Sequence, residues 1–278
     1  MEDNSKFKAL SAQLFERHLK YFLSSGFKPC SVSQLVDSLK NGLNNKTVTI
    51  TFDDGLKSQF TNAFPLLEEY NFPACFFLTT KNLTENTMNN VHKIHLLMSE
   101  FSIDQLAKEW SLITGTEVER NKELVPKYWD DVFTANLKFL LRSNSEILDK
   151  IFNKKFDEKN KSKKFYINFS EAKKLLNAGM EIGCHSHSHM PLAEHLAEHP
   201  SHVRDELAKN KNILEKELDI NVDFVSYPRY EPHLHIESVA KSLGFIAGFT
   251  TIKKMVASSD DLLSLGRFDA NHVTEMIK

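Results

Sequence analysis

The order in which strand-like and helix-like segments alternate constrains this chain more than its composition does. "TVTITF" (47–52) alternates apolar with polar and is rich in β-branched residues, so it reads as a strand. "PACFFLTT" (73–80) is a short apolar run that reads as a buried strand, and "LKSQFTNAFPLLEEY" between the two reads as a helix. Two helices are expected earlier, over 11–25 and 32–40, the second capped by Ser31 or Ser33. The rhythm resumes at "SEAKKLLNAG", a helix that Ser170 can cap and Gly179 can end. The strand "MEIGCHS", a helix over 202–218, the strand "VDFVSYP" and a helix near 236–243 follow, and then "GFIAGFTT" and "LLSLGRF". A repeated β-then-α order predicts a parallel sheet or barrel with helices outside, where functional groups gather at the C-terminal ends of strands. Asp53, Asp54, His185 and Tyr227 all fall at such ends.

Residues 81–165 break that rhythm. They are polar, Lys- and Asn-rich and helix-patterned in places, and read as a helical insertion within a single domain spanning 1–278. The net charge of −2 provides no basic footprint for nucleic acid. No run of about 18 uncharged apolar residues occurs, so no membrane span is expected. The N-terminal "MEDNSKFKALSAQLFERHLKYF" has no apolar signal core, and Cys30, Cys75 and Cys184 are odd in number and widely spaced. Both features suit a reducing compartment, and the cytoplasm is the expected location. Nothing in the sequence sets an oligomeric state.

The turn "TFDDG" places two like charges side by side, where each makes the other harder to ionise unless a cation faces them. Neighbouring strand residues point to opposite faces, so both carboxylates serve one site only if the chain turns at Gly55. In "GCHSHSHMPL", an extended backbone would present His185, His187 and His189 on one side; a helical turn would instead put His185 and His189 on a shared face. Either geometry lets two imidazoles take one metal ion. Two histidines and one carboxylate, with positions left for water, match a catalytic zinc or similar divalent site. One aspartate would bind the metal and the other would act as general base toward its acidified water. Cys184 precedes His185 and reads as packing, pointing away from it. His92 and His95 read as a partly buried helix face, and His195, His199 and His202 as a solvated face or loop.

"TFDDG" followed by "HSHSH" resembles the polysaccharide deacetylases, the NodB-homology carbohydrate esterases. Their first motif is TFDDG, and their second is His-Ser/Thr-x-x-His, matched by His185, Ser186 and His189. The resemblance covers most of 10–80 and 166–270 and leaves out the insertion. It implies an α/β fold, a distorted (β/α) barrel with fewer strands than a full TIM barrel. It implies Asp53 as catalytic base, with Asp54, His185 and His189 holding a divalent metal, zinc first and cobalt, nickel or iron as alternatives. Ser186 would help hold the loop, and His187 falls at a variable position. The implied reaction is metal-dependent hydrolysis of an acetamido group on a carbohydrate substrate.

Several members of the family carry an Arg-x-Pro motif whose arginine touches the catalytic aspartate. Here the segment is "SYPRY" (226–230), with Ser226 where that arginine would stand. Arg229 and Arg267 are the candidates for the charge, and Arg267 is preferred because a strand-end arginine can point into the site. Tyr227 and Pro228 of the same segment are expected on the substrate side. No Leu-x-His motif supplies a general acid; "FDANHV" offers His272. The alternatives are a non-catalytic protein of the same fold that binds glycan or a partner, and a hydrolase of a non-sugar amide.

Overall fold

The computed structural model describes residues 10–42, 46–124, 131–193, 201–229 and 234–277. The chain divides into two compact units, one of Leu10–Glu85 with Lys164–Lys278, the other built on Asn86–Lys163. In chain order the first unit begins with α1 (Ala12–Ser24), β1 (Lys28–Pro29), α2 (Val32–Lys40), β2 (Thr47–Val48) and β3 (Ile50–Phe52). A π-helical turn over Gln59–Ala63 then runs into α3 (Phe64–Glu69), followed by β4 (Ala74–Leu78) and α4 (Thr80–Glu85). The second unit carries α5 (Asn90–Glu100), α6 (Ile103–Thr114), α7 (Val132–Ser143) and α8 (Ser145–Asn153), with α9 (Glu158–Phe165) running out of it. The first unit continues with α10 (Phe169–Asn177), β5 (Glu181–Cys184), α11 (His202–Leu218), β6 (Phe224–Ser226), α12 (Leu234–Ser242), β7 (Ala247–Phe249) and α13 (Ala270–Met276). Among the described residues no helix is long and apolar enough to cross a membrane.

Strands β3 to β7 form one five-stranded sheet in sequence order, every neighbouring pair parallel. The expected strand over 47–52 is split: Thr47–Val48 pairs in parallel with β1, and only Ile50–Phe52 joins the main sheet. The helix starts follow local capping chemistry. Ser31 caps α2 reciprocally with Gln34. α10 is capped by Asn168 with Glu171, two residues before the expected Ser170. Gly179, at φ +82°, ends α10 as expected.

"LLSLGRF" does not form the expected last strand. The Asp261 side chain accepts from Leu263 N at 2.9 Å and draws Leu262–Ser264 into a 3₁₀ turn. Leu265 keeps a single parallel bridge to Phe249. Gly266 fits only because it lacks a Cβ, which would stand 2.8 Å from Lys254 Cβ and 2.9 Å from Ile252 O.

The sheet is curled into a partial barrel. Strands β3 and β7 are its opposite edges, four inter-strand steps apart, or about 19 Å if the sheet were flat. Yet Arg267 Nη1 donates to Thr51 Oγ1 on β3 at 3.1 Å, and its Nε donates to Thr250 O just past β7 at 3.1 Å. One arginine can touch both edges only if the sheet wraps around.

Alternation along the strands sorts the two faces. Ala74, Phe76, Leu78, Ile182, Cys184 and Val225 face outward against Leu19, Leu67, Leu175, Leu207 and Ile236 of the surrounding helices. Cys75, Phe77, Phe224, Ala247 and Phe249 face inward with Val32 and Val36 of α2. The interior is tight: a Cβ on Gly183 would stand 2.4 Å from the Phe77 ring. Glu181, at the start of β5, accepts from Val32 N at 2.7 Å, Ser33 N at 3.0 Å and Ser33 Oγ at 2.6 Å. A carboxylate on free helix N–H groups is favoured by both hydrogen bonding and the helix dipole. It fastens α2 at the end of the barrel away from the strand C-termini.

Candidate metal centre

The Asp-Asp turn begins where β3 stops. Asp54 takes φ +74° and Gly55 φ +67°, so two successive residues sit in the left-handed region. Aspartate tolerates that conformation better than most side chains. Gly55 is also needed for space, since a Cβ there would lie 2.9 Å from Leu78 Cδ2. Gln59 staples the turn from both sides: its Nε2 donates to Asp53 O at 2.7 Å, and its Oε1 accepts from Leu56 N at 3.0 Å. The turn sends the two carboxylates to different partners.

Asp53 is gripped by Arg267, with Nη1 on Oδ1 and Nη2 on Oδ2, each at 2.9 Å. This is the bidentate geometry that makes arginine–carboxylate pairs specific. Arg267 Nη2 also donates to Ser226 Oγ at 2.9 Å. Burial pushes the Asp53 carboxyl upward, but the Arg267 charge, His185 and the arginine hydrogen bonds outweigh it and hold the group below its ordinary value.

Asp54 faces the histidines instead. Its Oδ1 lies 3.0 Å from His189 Nε2 and 3.6 Å from His185 Nε2. The two imidazole rings meet at 5.1 Å between centroids. His185 Nδ1 lies 2.7 Å from Ser226 O. A carbonyl only accepts, so Nδ1 carries the proton, and in the neutral ring Nε2 presents a lone pair toward Asp54. That arrangement is the usual preparation of a histidine for a metal. Burial lowers the His185 pKa, outweighing Asp53, Asp54 and the Ser226 carbonyl, which act to raise it. Burial also acts to lower His189, but Asp54 overrides it and its pKa is raised. Asp54, His185 and His189 offer one oxygen and two nitrogens, all within 4.8 Å of one another. The donor set and the fixed His185 tautomer fit a divalent cation.

Both loop geometries expected for "HSHSH" give way to a third. Ser186 and His189 take φ +57° and +59°, and Ser186 Oγ accepts from His189 N at 3.0 Å. This tight turn brings His185 and His189 together and sends His187 elsewhere. His187 Nδ1 lies 2.9 Å from Thr80 Oγ1, and its Nε2 lies 3.6 Å from Glu85.

Four of the residues expected at the site, Asp53, Asp54, His185 and His189, stand together, and Arg267 joins them. Arg229 is exposed at φ +47° and is not the arginine on Asp53. The Tyr227 side chain does not reach the site. It is 1% exposed in the outer core, where its hydroxyl donates to Leu263 O at 3.0 Å. Pro228 is buried beside it. The one-residue parity of the strand explains this: Ser226 points inward, so Tyr227 must point outward. Cys184 packs outward as expected, its thiol pushed up to about 12 by burial. His272 lies in α13 with its ring edge-on to Phe268. His195 and His199 lie outside the described residues; His202 opens α11. Sequence reasoning missed Gln59 and the two roles of Ser226, whose carbonyl serves His185 and whose hydroxyl serves Arg267. Ser226 stood where an arginine was expected, which was the available signal.

The profile described as polysaccharide deacetylase matches residues 40–127 and 137–248, extending well into the segment between the motifs. The chain belongs to the polysaccharide deacetylase family. It is 29% identical over 73 residues to a poly-beta-1,6-N-acetyl-D-glucosamine N-deacetylase of Escherichia coli (strain K12), a stretch covering 26% of this chain and 11% of that protein. It is 29% identical over 87 residues to the enzyme of the same name from Staphylococcus aureus (strain MSSA476), 31% of this chain and 30% of that one. The alignments thus span well under half of these curated relatives. In fold it is similar to the Streptococcus pyogenes deacetylase PplD in complex with acetate, with TM-score 0.63 and 17% identity over 100% of this chain and 92% of that one. It is likewise similar to IcaB from Ammonifex degensii, with TM-score 0.61 and 16% identity over 97% and 88% of the two chains.

Proposed function

We propose that this chain is a metal-dependent hydrolase that removes N-acetyl groups from an N-acetylated sugar in a surface polysaccharide or glycolipid precursor. The observation that carries this reading is the division of labour at the Asp-Asp turn: Arg267 holds one carboxylate ionised, and two histidines face the other. Family membership and the names of the relatives point to the same chemistry.

Asp54 Oδ1, His185 Nε2 and His189 Nε2 would hold the metal, zinc in this reading, with cobalt, nickel or iron as alternatives. When bound, such an ion supplies a Lewis acid for the amide carbonyl and makes the attacking water acidic near neutral pH. Asp53 accepts the proton of that water as general base. Arg267 keeps Asp53 deprotonated and fixes its plane through the paired contacts, and Thr51 and Ser226 hold the guanidinium in turn. Ser226 O fixes the His185 tautomer.

The test is metal content of chelator-free protein, followed by acetate release from N-acetylglucosamine oligomers. Asp53→Asn should keep the metal and lose turnover by about 10²–10⁴-fold or more. His185→Ala and Asp54→Ala should lose both. A metal-loaded wild type that releases no acetate from any acetylated sugar would place the chain with non-catalytic glycan-binding proteins or with hydrolases of other amides. Near-normal turnover by Asp53→Asn would remove Asp53 as the base.

A further inference from the structure

We propose that Asn210 and Glu206, on one face of α11, are positioning residues for the metal centre and set how far apart His185 and His189 stand. The inference rests on the metal-centre reading above and concerns residues outside both sequence motifs.

The loop between the two histidines contains a serine in the left-handed region, Ser186 at φ +57°, a conformation that persists in a non-glycine residue only when its surroundings enforce it. Asn210 supplies that enforcement. Its Nδ2 donates to Leu78 O at 2.8 Å and also to Ser186 O, using both amide hydrogens. Leu78 O in turn accepts His185 N at 3.1 Å, so one side chain ties the end of β4, the backbone of the first histidine and the turn after it. Ser186 passes the constraint on, because its Oγ accepts from His189 N.

Glu206 acts on the second half of the loop. Its carboxylate accepts from Ser188 N at 2.7 Å and Ser188 Oγ at 2.9 Å, and its backbone carbonyl accepts from His187 N at 3.1 Å. Asn210 is 0% exposed and Glu206 7%, so neither is a surface polar group that happens to touch the loop. Four residues apart, they share a helix face, and α11 is the longest helix among the described residues at 17 residues. The loop that carries two of three metal donors is thereby fastened to a rigid rod rather than to another loop.

The full-length chain is titrated with cobalt(II), followed by visible absorption, alongside urea unfolding in excess chelator. Asn210→Ala should weaken cobalt affinity by about 10–100-fold and shift the absorption bands, since the separation of the two imidazoles changes. Glu206→Gln, which keeps one acceptor for Ser188, should shift the same readouts less, and it carries the test if Asn210→Ala does not fold. Unfolding midpoints that move while cobalt affinity and bands stay at wild-type values would make both residues merely structural and overturn the inference. If wild type takes up no cobalt, the metal-centre reading itself falls, and this inference with it.

Discussion

The adjacent aspartates are chemically alike and do opposite work because the backbone turns between them. Arg267 is the residue that decides the character of Asp53. Without it, a half-buried carboxylate would sit beside Asp54 without the chief charge that favours its ionisation, so in Arg267→Ala the Asp53 pKa rises. The acid limb of kcat/KM against pH should then move to higher pH, and activity below neutrality should fall most. Stability follows the same sign. The folded Asp53 value lies below its unfolded one, so the pair's contribution is fully present above about pH 5 and is lost as pH falls through the folded value. His189 runs the other way, its pKa raised by Asp54. A bound metal would compete with protons for this imidazole nitrogen, so metal affinity should fall as pH drops through the His189 value, with proton release on binding seen by calorimetry in buffers of different ionisation enthalpy. At this scale the sequence was informative, since spacing and charge singled out Asp53, Asp54 and the cluster of His185, His187 and His189, and the family resemblance chose His185 and His189 from that cluster. It was silent on which face each histidine would take, because that depends on left-handed angles at Ser186 and His189 that no pattern of residue types announces.

Strand–helix alternation was legible because the strands of the five-stranded sheet are short alternating or apolar runs set between helix-patterned segments. The misreadings sit where side chains compete with the backbone ladder. Asp261 pulled an apolar run out of the sheet, and Asn168 took a cap expected of Ser170. Tyr227 was misplaced by strand parity alone. Two element-level interactions invite measurement. Removing the Glu181 carboxylate leaves three donors at the start of α2 without their acceptor. Glu181→Ala should therefore lose about 1–3 kcal/mol in urea unfolding. Gly183→Ala forces a methyl into the Phe77 ring and toward Phe224 O, 3.1 Å away. It should cost about 1–3 kcal/mol from overpacking, with metal content preserved. Loss of metal in Gly183→Ala at unchanged stability would show that the barrel interior shapes the site more directly than its packing suggests.

For the whole molecule, a metal site with its donors at the ends of two strands, β3 and β5, should bind metal only when folded, so a bound metal would act as a folding ligand. At a concentration 100-fold above its dissociation constant it should add about 2.7 kcal/mol to stability, raising Tm in a concentration-dependent way. Stripping with chelator should reverse that, and Asp54→Ala should abolish the dependence. The fold was read as a single domain with an inserted helical segment; two compact units are seen, with the metal donors in one of them. The unit built on Asn86–Lys163 lies almost entirely within the segment 81–165 where the strand–helix rhythm breaks. The clasp between the barrel edges has a temporal meaning as well. Asp53 and Arg267 are 214 residues apart, so their contact closes a very long loop. Contacts of such long range are slow to form. During synthesis both aspartates and both histidines leave the ribosome well before Arg267 does. A nascent chain would thus expose Asp54, His185 and His189 before Asp53 gains its arginine, and, on the proposed function, activity would be the last property to mature, reporting that the two edges of the five-stranded sheet have met.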